Sequence, residues 1–222
     1  MNLIEAAQAL DRLGFMPSKS GNLSLRTARG FVITPSGLPY EALTEGELVE
    51  LDITGAVIGG LRKPSSEWRL HQAIYAARPD AMAVVHTHSP RATALACARR
   101  DIPPFHYMIA LAGGDDIRCA RYATFGTPEL AGAAIEALEG RRACLLANHG
   151  VVAIGQDIRA ATTLAREVEN LAGQYLDMLA ARLEPALLTP AEMEAVRDQF
   201  EGYGQRLRLP LGPSPQAISR PG

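Results

Sequence analysis

Residues Met82 to Pro90 read MAVVHTHSP, and both the fold and the chemistry of this chain follow from that stretch. Met82 to His88 reads as a strand that begins with an apolar run. Ser89 followed by Pro90 matches the N-cap and first-turn preferences of a helix. The stretch therefore predicts a strand that runs straight into a helix, with His86 and His88 at the strand's C-terminal end. Side chains two apart in a strand share a face, so the two imidazoles converge. Two convergent imidazoles are half of a metal site, and equally a pair of satisfied polar groups; the spacing alone leaves both readings open.

On the N-terminal side, Lys63-Pro64-Ser65-Ser66 is a loop leading into a helix. Ser66 is its natural N-cap, Leu70, Ala73, Ile74 and Ala77 are its core stripe, and Pro79 ends it. Glu67 then falls in the first helical turn, where a carboxylate is ordinarily a dipole partner. His71 lies one turn further along the same face, in a structural or supporting place. On the C-terminal side, Thr127-Pro128 starts a helix to about Gly140. Apolar strands at Ala143 to Ala147 and Val151 to Ile154 flank Asn148-His149-Gly150, where glycine permits a tight turn and leaves the ring of His149 clear. A long helix from Asp157 to about Leu183 follows, then a last helix from Thr189-Pro190 to about Phe200. Phe105 to Leu111 and Ile117 to Thr124 read as strands, and nothing in its spacing selects His106 as a ligand.

The first third opens with a helix on Leu3, Ala7, Leu10 and Leu13, stopped by Gly14. The loop Ser18 to Ser24 leads into a hairpin whose second strand is Phe31 to Thr34, and Pro35-Ser36-Gly37 breaks it. Thr44 with Glu47 reads as a capping box, and Glu50 to Gly59 as a hairpin turning at Thr54-Gly55. From Gly204 to Gly222, four prolines, three glycines and no acidic residue predict a mobile tail. The expectation is one α/β, or α+β layered, domain over residues 1–203.

Composition narrows the function. The 222 residues are 47% hydrophobic and 21% charged, enough for a sizeable core. Twenty-two Lys and Arg against 24 Asp and Glu give a net charge of -2, without the basic excess that a nucleic-acid backbone requires. No apolar run reaches membrane-spanning length, and the opening MNLIEAAQALDRLG is not a secretory signal, so a cytoplasmic protein with neither nucleic-acid nor membrane partner is expected. Cys97, Cys119 and Cys144 are an odd, widely spaced set, read as buried reduced thiols rather than disulfides or a thiolate metal cluster. Any bound metal must then be held by His, Asp or Glu. His149 would supply a third imidazole beside His86 and His88, with Glu67 beside the fourth position. Ser20-Gly21-Asn22, Pro35-Ser36-Gly37 and Ser65-Ser66 offer hydroxyls, an amide and backbone N–H groups of the kind that cradle phosphate, though each is also an ordinary turn or cap. There is no P-loop and no Gly-x-Gly-x-x-Gly.

As a set, these segments resemble the class II aldolase/adducin family across about residues 2 to 200. The resemblance is carried, in order, by Ser20-Gly21-Asn22-Leu23-Ser24, Thr34-Pro35-Ser36-Gly37, Ser65-Ser66-Glu67-Trp68, Val85-His86-Thr87-His88, Tyr107-Met108-Ile109-Ala110, Tyr122-Ala123-Thr124-Phe125-Gly126 and Asn148-His149-Gly150. It implies a central, mostly antiparallel sheet flanked by helices, and one Zn2+ per subunit held by His86, His88 and His149. Glu67 is implied as the fourth ligand at rest and the acid/base once substrate displaces it. Gly21, Asn22, Ser36, Gly37, Ser65 and Ser66 match the family's phosphate-binding positions. Tyr107 matches a tyrosine donated across a subunit interface, which implies a homotetramer. Phe125, Phe200 and Tyr203 resemble residues that close over an aldehyde.

The implied activity is cleavage of a ketose 1-phosphate, L-fuculose 1-phosphate or a 5-deoxy- or 5-methylthio-pentulose 1-phosphate, to dihydroxyacetone phosphate and an aldehyde. Epimerases of the family carry Asp where this chain has Glu67, which favours the aldolase, while Ser36 stands where the fuculose phosphate enzymes usually carry Thr. Epimerisation, dehydration or decarboxylation on the same zinc site is the alternative. Adducin-type interaction modules lack the metal histidines that this chain retains.

Overall fold

The computed structural model describes residues 1–205, with side chains through residue 200. Eight strands form one sheet: β1 (Asn22–Arg26), β2 (Gly30–Ile33), β3 (Val49–Asp52), β4 (Val57–Gly59), β5 (Ala83–Thr87), β6 (Cys119–Ala120), β7 (Ala143–Leu146) and β8 (Gly150–Gly155). Their order is β4-β3-β2-β1-β5-β8-β7-β6. Every pairing is antiparallel except β6 with β7. The stretch that decides the fold is therefore central: β5 lies between β1 and β8, and all five of its residues are buried.

The described residues hold six α-helices: α1 (Leu3–Arg12), α2 (Trp68–Ala77), α3 (Pro90–Cys97), α4 (Pro128–Ala137), α5 (Ile158–Ala180) and α6 (Pro190–Gln205). The two-residue period of the strands sorts their side chains into two cores. Ala83 and Val85 of β5, with Val151 and Ala153 of β8, pack against α1, α3 and α5. Val84, with Val152 and Ile154, packs against Leu70, Ile74 and Tyr75 of α2 and against α4. Burying one such Val, Leu or Ile contributes about 1.5–3 kcal/mol, so both faces of β5 are strongly determined.

Local chemistry sets the ends. Asn2 accepts a hydrogen bond from the Glu5 backbone N–H at 2.8 Å while Glu5 accepts one from Asn2 at 2.9 Å, starting α1 with a capping box. Gly14 follows α1 at φ +76°, as its sequence position implies. The Thr44–Glu47 box does not form: Glu45–Glu47 is a 3-10 turn without a side-chain cap, and Glu47 instead pairs with Arg62.

Four further expectations are corrected. Phe105 to Leu111 is no strand: Tyr107–Ala112 is a 3-10 helix whose first amides are met by His106, its Nδ1 accepting from Met108 N–H at 3.2 Å. Of Ile117 to Thr124, only Cys119–Ala120 is regular strand. Cys97 is exposed and Cys119 half-buried, so only Cys144 is a buried thiol, though all three are free. The last helix continues to Gln205, past the expected start of the tail at 204; residues 206–222 of that tail lie outside the described residues.

Candidate active site

Register brings the site together. Asn22 of β1 pairs with His86 of β5, and Ser24 with Val84, so Asn22, Ser24 and His86 point to the face covered by α2. Trp68 is the first helical residue of α2, which makes Glu67 its N-cap and displaces Ser66 from that role. Ser65 supplies the local order instead: its Oγ accepts from the Glu67 backbone N–H at 3.3 Å. His149 is delivered by the turn between β7 and β8. The left-handed residue there is Asn148, at φ +56°, not the glycine. Gly150 is needed for close approach, since a Cβ on it would lie 2.4 Å from the Thr87 carbonyl and 2.9 Å from His88 Cδ2.

Glu67, His86, His88 and His149 present one ligand atom each, all within 4.8 Å of one another. His86 Nε2 lies 3.0 Å from His88 Nε2 and 3.1 Å from Glu67 Oε2, and His149 Nε2 lies 3.3 Å from Glu67 Oε1. The three rings meet nearly edge to face, with centroids 4.9–5.0 Å apart. His86 Nδ1 is 2.9 Å from the Val151 carbonyl and donates to it, which turns the Nε2 lone pair inward.

Burial opposes charge throughout this cluster, with different results. At Glu67 it is outweighed by His86, then His149 and the Asn22 hydrogen bond, and the carboxyl is held far below its usual range. At His86 the Glu67 carboxylate likewise overcomes burial and raises the imidazole. Burial and then the charge of His86 push His88 down to about 3 and His149 down to about 4. Glu67 is thus a carboxylate, with neutral imidazoles at His88 and His149 beside it. Neutral nitrogens beside a carboxylate are the donors a divalent cation requires, and Glu67 Oε1 is buried without a hydrogen-bond donor. The residues fit a metal.

The cluster opens on a pocket of about 360 Å³. Its other walls include all six small-loop residues singled out by sequence: Gly21, Asn22, Ser36, Gly37, Ser65 and Ser66. Backbone bonds lash these loops together, Ser36 N–H to Lys63 carbonyl at 3.0 Å and Ser65 N–H to Thr34 carbonyl at 3.1 Å. Phe125 lines the same pocket, and so do Lys19, Tyr122 and Asn148, to which sequence reasoning gave no role. Tyr122 and Asn148 stand inside quoted motifs, a usable signal; Lys19 had none beyond its loop. Its amine is engaged by Asp11 at 3.0 Å and Glu41 at 3.2 Å.

Tyr107 and Phe200 stand apart from this pocket. Tyr107 is 50% exposed and stacks between neighbours in sequence and space, 4.9 Å from the His106 ring and 6.3 Å from the Phe200 ring. Tyr203 is in the last turns of α6, where only the backbone is described.

A three-histidine, one-carboxylate cluster at the end of a central antiparallel strand, beside small polar loops, is a candidate centre for a divalent metal. The family described as the Class II Aldolase and Adducin N-terminal domain matches residues 1–176, and the chain belongs to it. The 5-methylthioribulose-1-phosphate/5-deoxyribulose-1-phosphate aldolase of Rhodospirillum rubrum is 51% identical over 212 residues, 96% of this chain and 95% of that protein. The L-fuculose phosphate aldolase of Escherichia coli K12 is 45% identical, covering 92% of this chain and 95% of the relative. A solved L-fuculose 1-phosphate aldolase superposes with a TM-score of 0.85 at 42% identity, over 90% of this chain and 94% of that one. The chain is an enzyme of this aldolase class, and its relatives process phosphorylated sugars. Among the described residues no helix is long and apolar enough to cross a membrane.

Proposed function

We propose that this chain is a zinc-dependent aldolase that reversibly cleaves a ketose 1-phosphate to dihydroxyacetone phosphate and an aldehyde. Its substrate is L-fuculose 1-phosphate or a 5-deoxy- or 5-methylthio-pentulose 1-phosphate, the substrates named for its relatives. Residues 1–203 are the catalytic unit, working as a cytoplasmic homotetramer. The observation that carries this reading is the convergence of Glu67, His86, His88 and His149 on a pocket walled by three small polar loops.

His86, His88 and His149 hold the zinc, with Glu67 as the fourth ligand at rest. When bound, zinc supplies a Lewis acid that stabilises negative charge developing on substrate oxygens, so no Schiff-base lysine is required. The hydroxyls and amides of Ser36, Gly37, Ser65, Ser66, Gly21 and Asn22 hold the phosphate; Lys19 is occupied by its two carboxylates, so neutral donors do most of this work. Cleavage removes the proton from the hydroxyl next to the breaking carbon–carbon bond and returns one to the carbon that leaves with the phosphate fragment. Glu67 makes the second transfer. Tyr107 makes the first, from a neighbouring subunit, a role supported by its exposure and its distance from its own chain's pocket. Phe125, at the mouth, covers the aldehyde end.

The test is release of dihydroxyacetone phosphate from a panel of ketose 1-phosphates (fuculose, rhamnulose, ribulose, 5-deoxyribulose, 5-methylthioribulose), with and without chelator. Chelator-sensitive release is expected, and the rank order names the substrate. No release from any of them, in protein that holds zinc, overturns the aldolase and turns the search to epimerisation, dehydration or decarboxylation.

A further inference from the structure

Between β1 and α2 lie three buried polar side chains that the reaction above does not use: Ser24, His71 and Tyr75. They form a chain. Tyr75 Oη is 2.7 Å from Ser24 Oγ, Ser24 Oγ is 2.6 Å from His71 Nδ1, and His71 Nε2 is 2.5 Å from Asn22 Oδ1. Asn22 Nδ2 then donates to Glu67 Oε2 at 3.0 Å.

Only one arrangement of protons satisfies every link. The Glu67 carboxylate accepts and does not donate, so the amide of Asn22 must face it with nitrogen and turn its oxygen to His71. That oxygen requires a donor, which puts the His71 proton on Nε2 and leaves Nδ1 bare. Ser24 therefore donates to Nδ1, and Tyr75 donates to Ser24. Burial, then the charge of His86, pushes His71 down to about 3, so the ring is neutral and the single-proton arrangement holds. The far end is fixed as well: the Arg26 guanidinium lies 4.8 Å over the Tyr75 ring and donates to the Tyr75 carbonyl at 2.7 Å.

We infer that Tyr75, Ser24 and His71 are positioning residues, a one-way hydrogen-bond relay that locks the Asn22 amide so that it donates to Glu67 Oε2 and leaves Oε1 free for metal and proton transfer. The inference deepens the proposed function and rests on Glu67 being the acid/base. With His71 replaced by an apolar residue, the buried Asn22 oxygen loses its donor, the amide is held only by its bond to Glu67, and the carboxylate loses its fixed aim. Partners that orient a metal ligand are worth about 10–100-fold in affinity or activity.

Two measurements on the full chain test the relay, one of them independent of any substrate. Long-range proton–nitrogen NMR of histidine-labelled protein, assigned with His71→Gln, is expected to show His71 protonated on Nε2 alone; a proton on Nδ1 overturns the relay. In kinetics, His71→Leu should keep its metal and its KM within about twofold while kcat falls about 10–100-fold. His71→Gln, which keeps a donor toward Asn22, should recover most of that loss, and Tyr75→Phe should lose only a few-fold. Wild-type kcat in metal-loaded His71→Leu overturns the relay; where that variant does not fold, wild-type kcat in both Ser24→Ala and Tyr75→Phe does so. If the wild-type chain cleaves no ketose 1-phosphate, the proposed function fails while the tautomer still decides the relay.

Discussion

The metal cluster and the Tyr107 segment present two kinds of site within one chain. The first is carried on β5, the β7–β8 turn and the start of α2, with Glu67 and His86 buried and every donor within 4.8 Å of the others. The second is a 3-10 helix that sets Tyr107 half-exposed against Phe200, with no contact to the pocket. A strand buried on both faces has no freedom to move its side chains, so the charged chemistry is preformed within the subunit. Tyr107, half-exposed on a short helix, does not line that pocket among the described residues. The difference teaches that the metal cluster is assembled within one subunit, whereas the role proposed for Tyr107 is the part that calls for a second copy.

The sharpest way to break that comparison is Glu67→Gln, which keeps the three imidazoles. It should retain most of the metal, measured by elemental analysis, and lose about 100- to 10,000-fold in kcat; unchanged turnover removes Glu67 from the chemistry. Next comes Tyr107→Phe, expected to slow cleavage about 100-fold with fold and metal intact. Co-assembly of the Glu67→Gln and Tyr107→Phe chains should restore activity above either variant alone, because some sites then combine an intact Glu67 with an intact Tyr107. Strictly additive rates would place both residues in one subunit's site. Phe125→Ala, at a side chain 63% exposed, should shift KM only a few-fold and reorder the substrate panel more than it changes kcat.

The smallest effect is on acid stability. Unfolded His71 takes a proton near pH 6.5, whereas in the folded chain it resists until about 3. Its contribution is therefore intact above pH 6.5 and lost as pH falls toward 3, at no more than about 1.4 kcal/mol per pH unit. Urea unfolding of chelator-treated protein at pH 7 and pH 5 should show a shallower decline in His71→Leu than in wild type; equal slopes would mean that His71 is protonated in the fold.

Legibility differed between the same two regions. The His-x-His spacing in β5 could be read because strand periodicity alone places both rings on one face. His149 and Glu67 were nameable, as were the pocket loops, because resemblance supplied an order of motifs that the structure brings to one pocket. Around Tyr107 the reading failed: Phe105 to Leu111 is a short apolar run, and such a run does not distinguish strand from helical turn. The capping assignments at Ser66 and Thr44 failed for a related reason. A hydroxyl and a carboxylate at cap spacing form a cap only if no better partner is near; Ser65 Oγ took the Glu67 amide, and Arg62 took Glu47.

By itself, then, the sequence determined the apolar strand that runs into a helix, the convergence of His86 and His88, and the absence of a basic excess, while its ordered motifs carried the resemblance to the family. Those depend on periodicity, composition and local order, which are properties of neighbours along the chain. Tertiary structure alone decided that Asn22 and Ser24 face α2 and that His71 and Tyr75 join them to Glu67. It also decided that Gly150 must be glycine to let the imidazoles close, and that Tyr107 lies outside its own chain's pocket. The links from β1 to α2 span 45 to 51 residues of chain, and no local pattern encodes a distance between parts that meet only when both sheet and helices are in place.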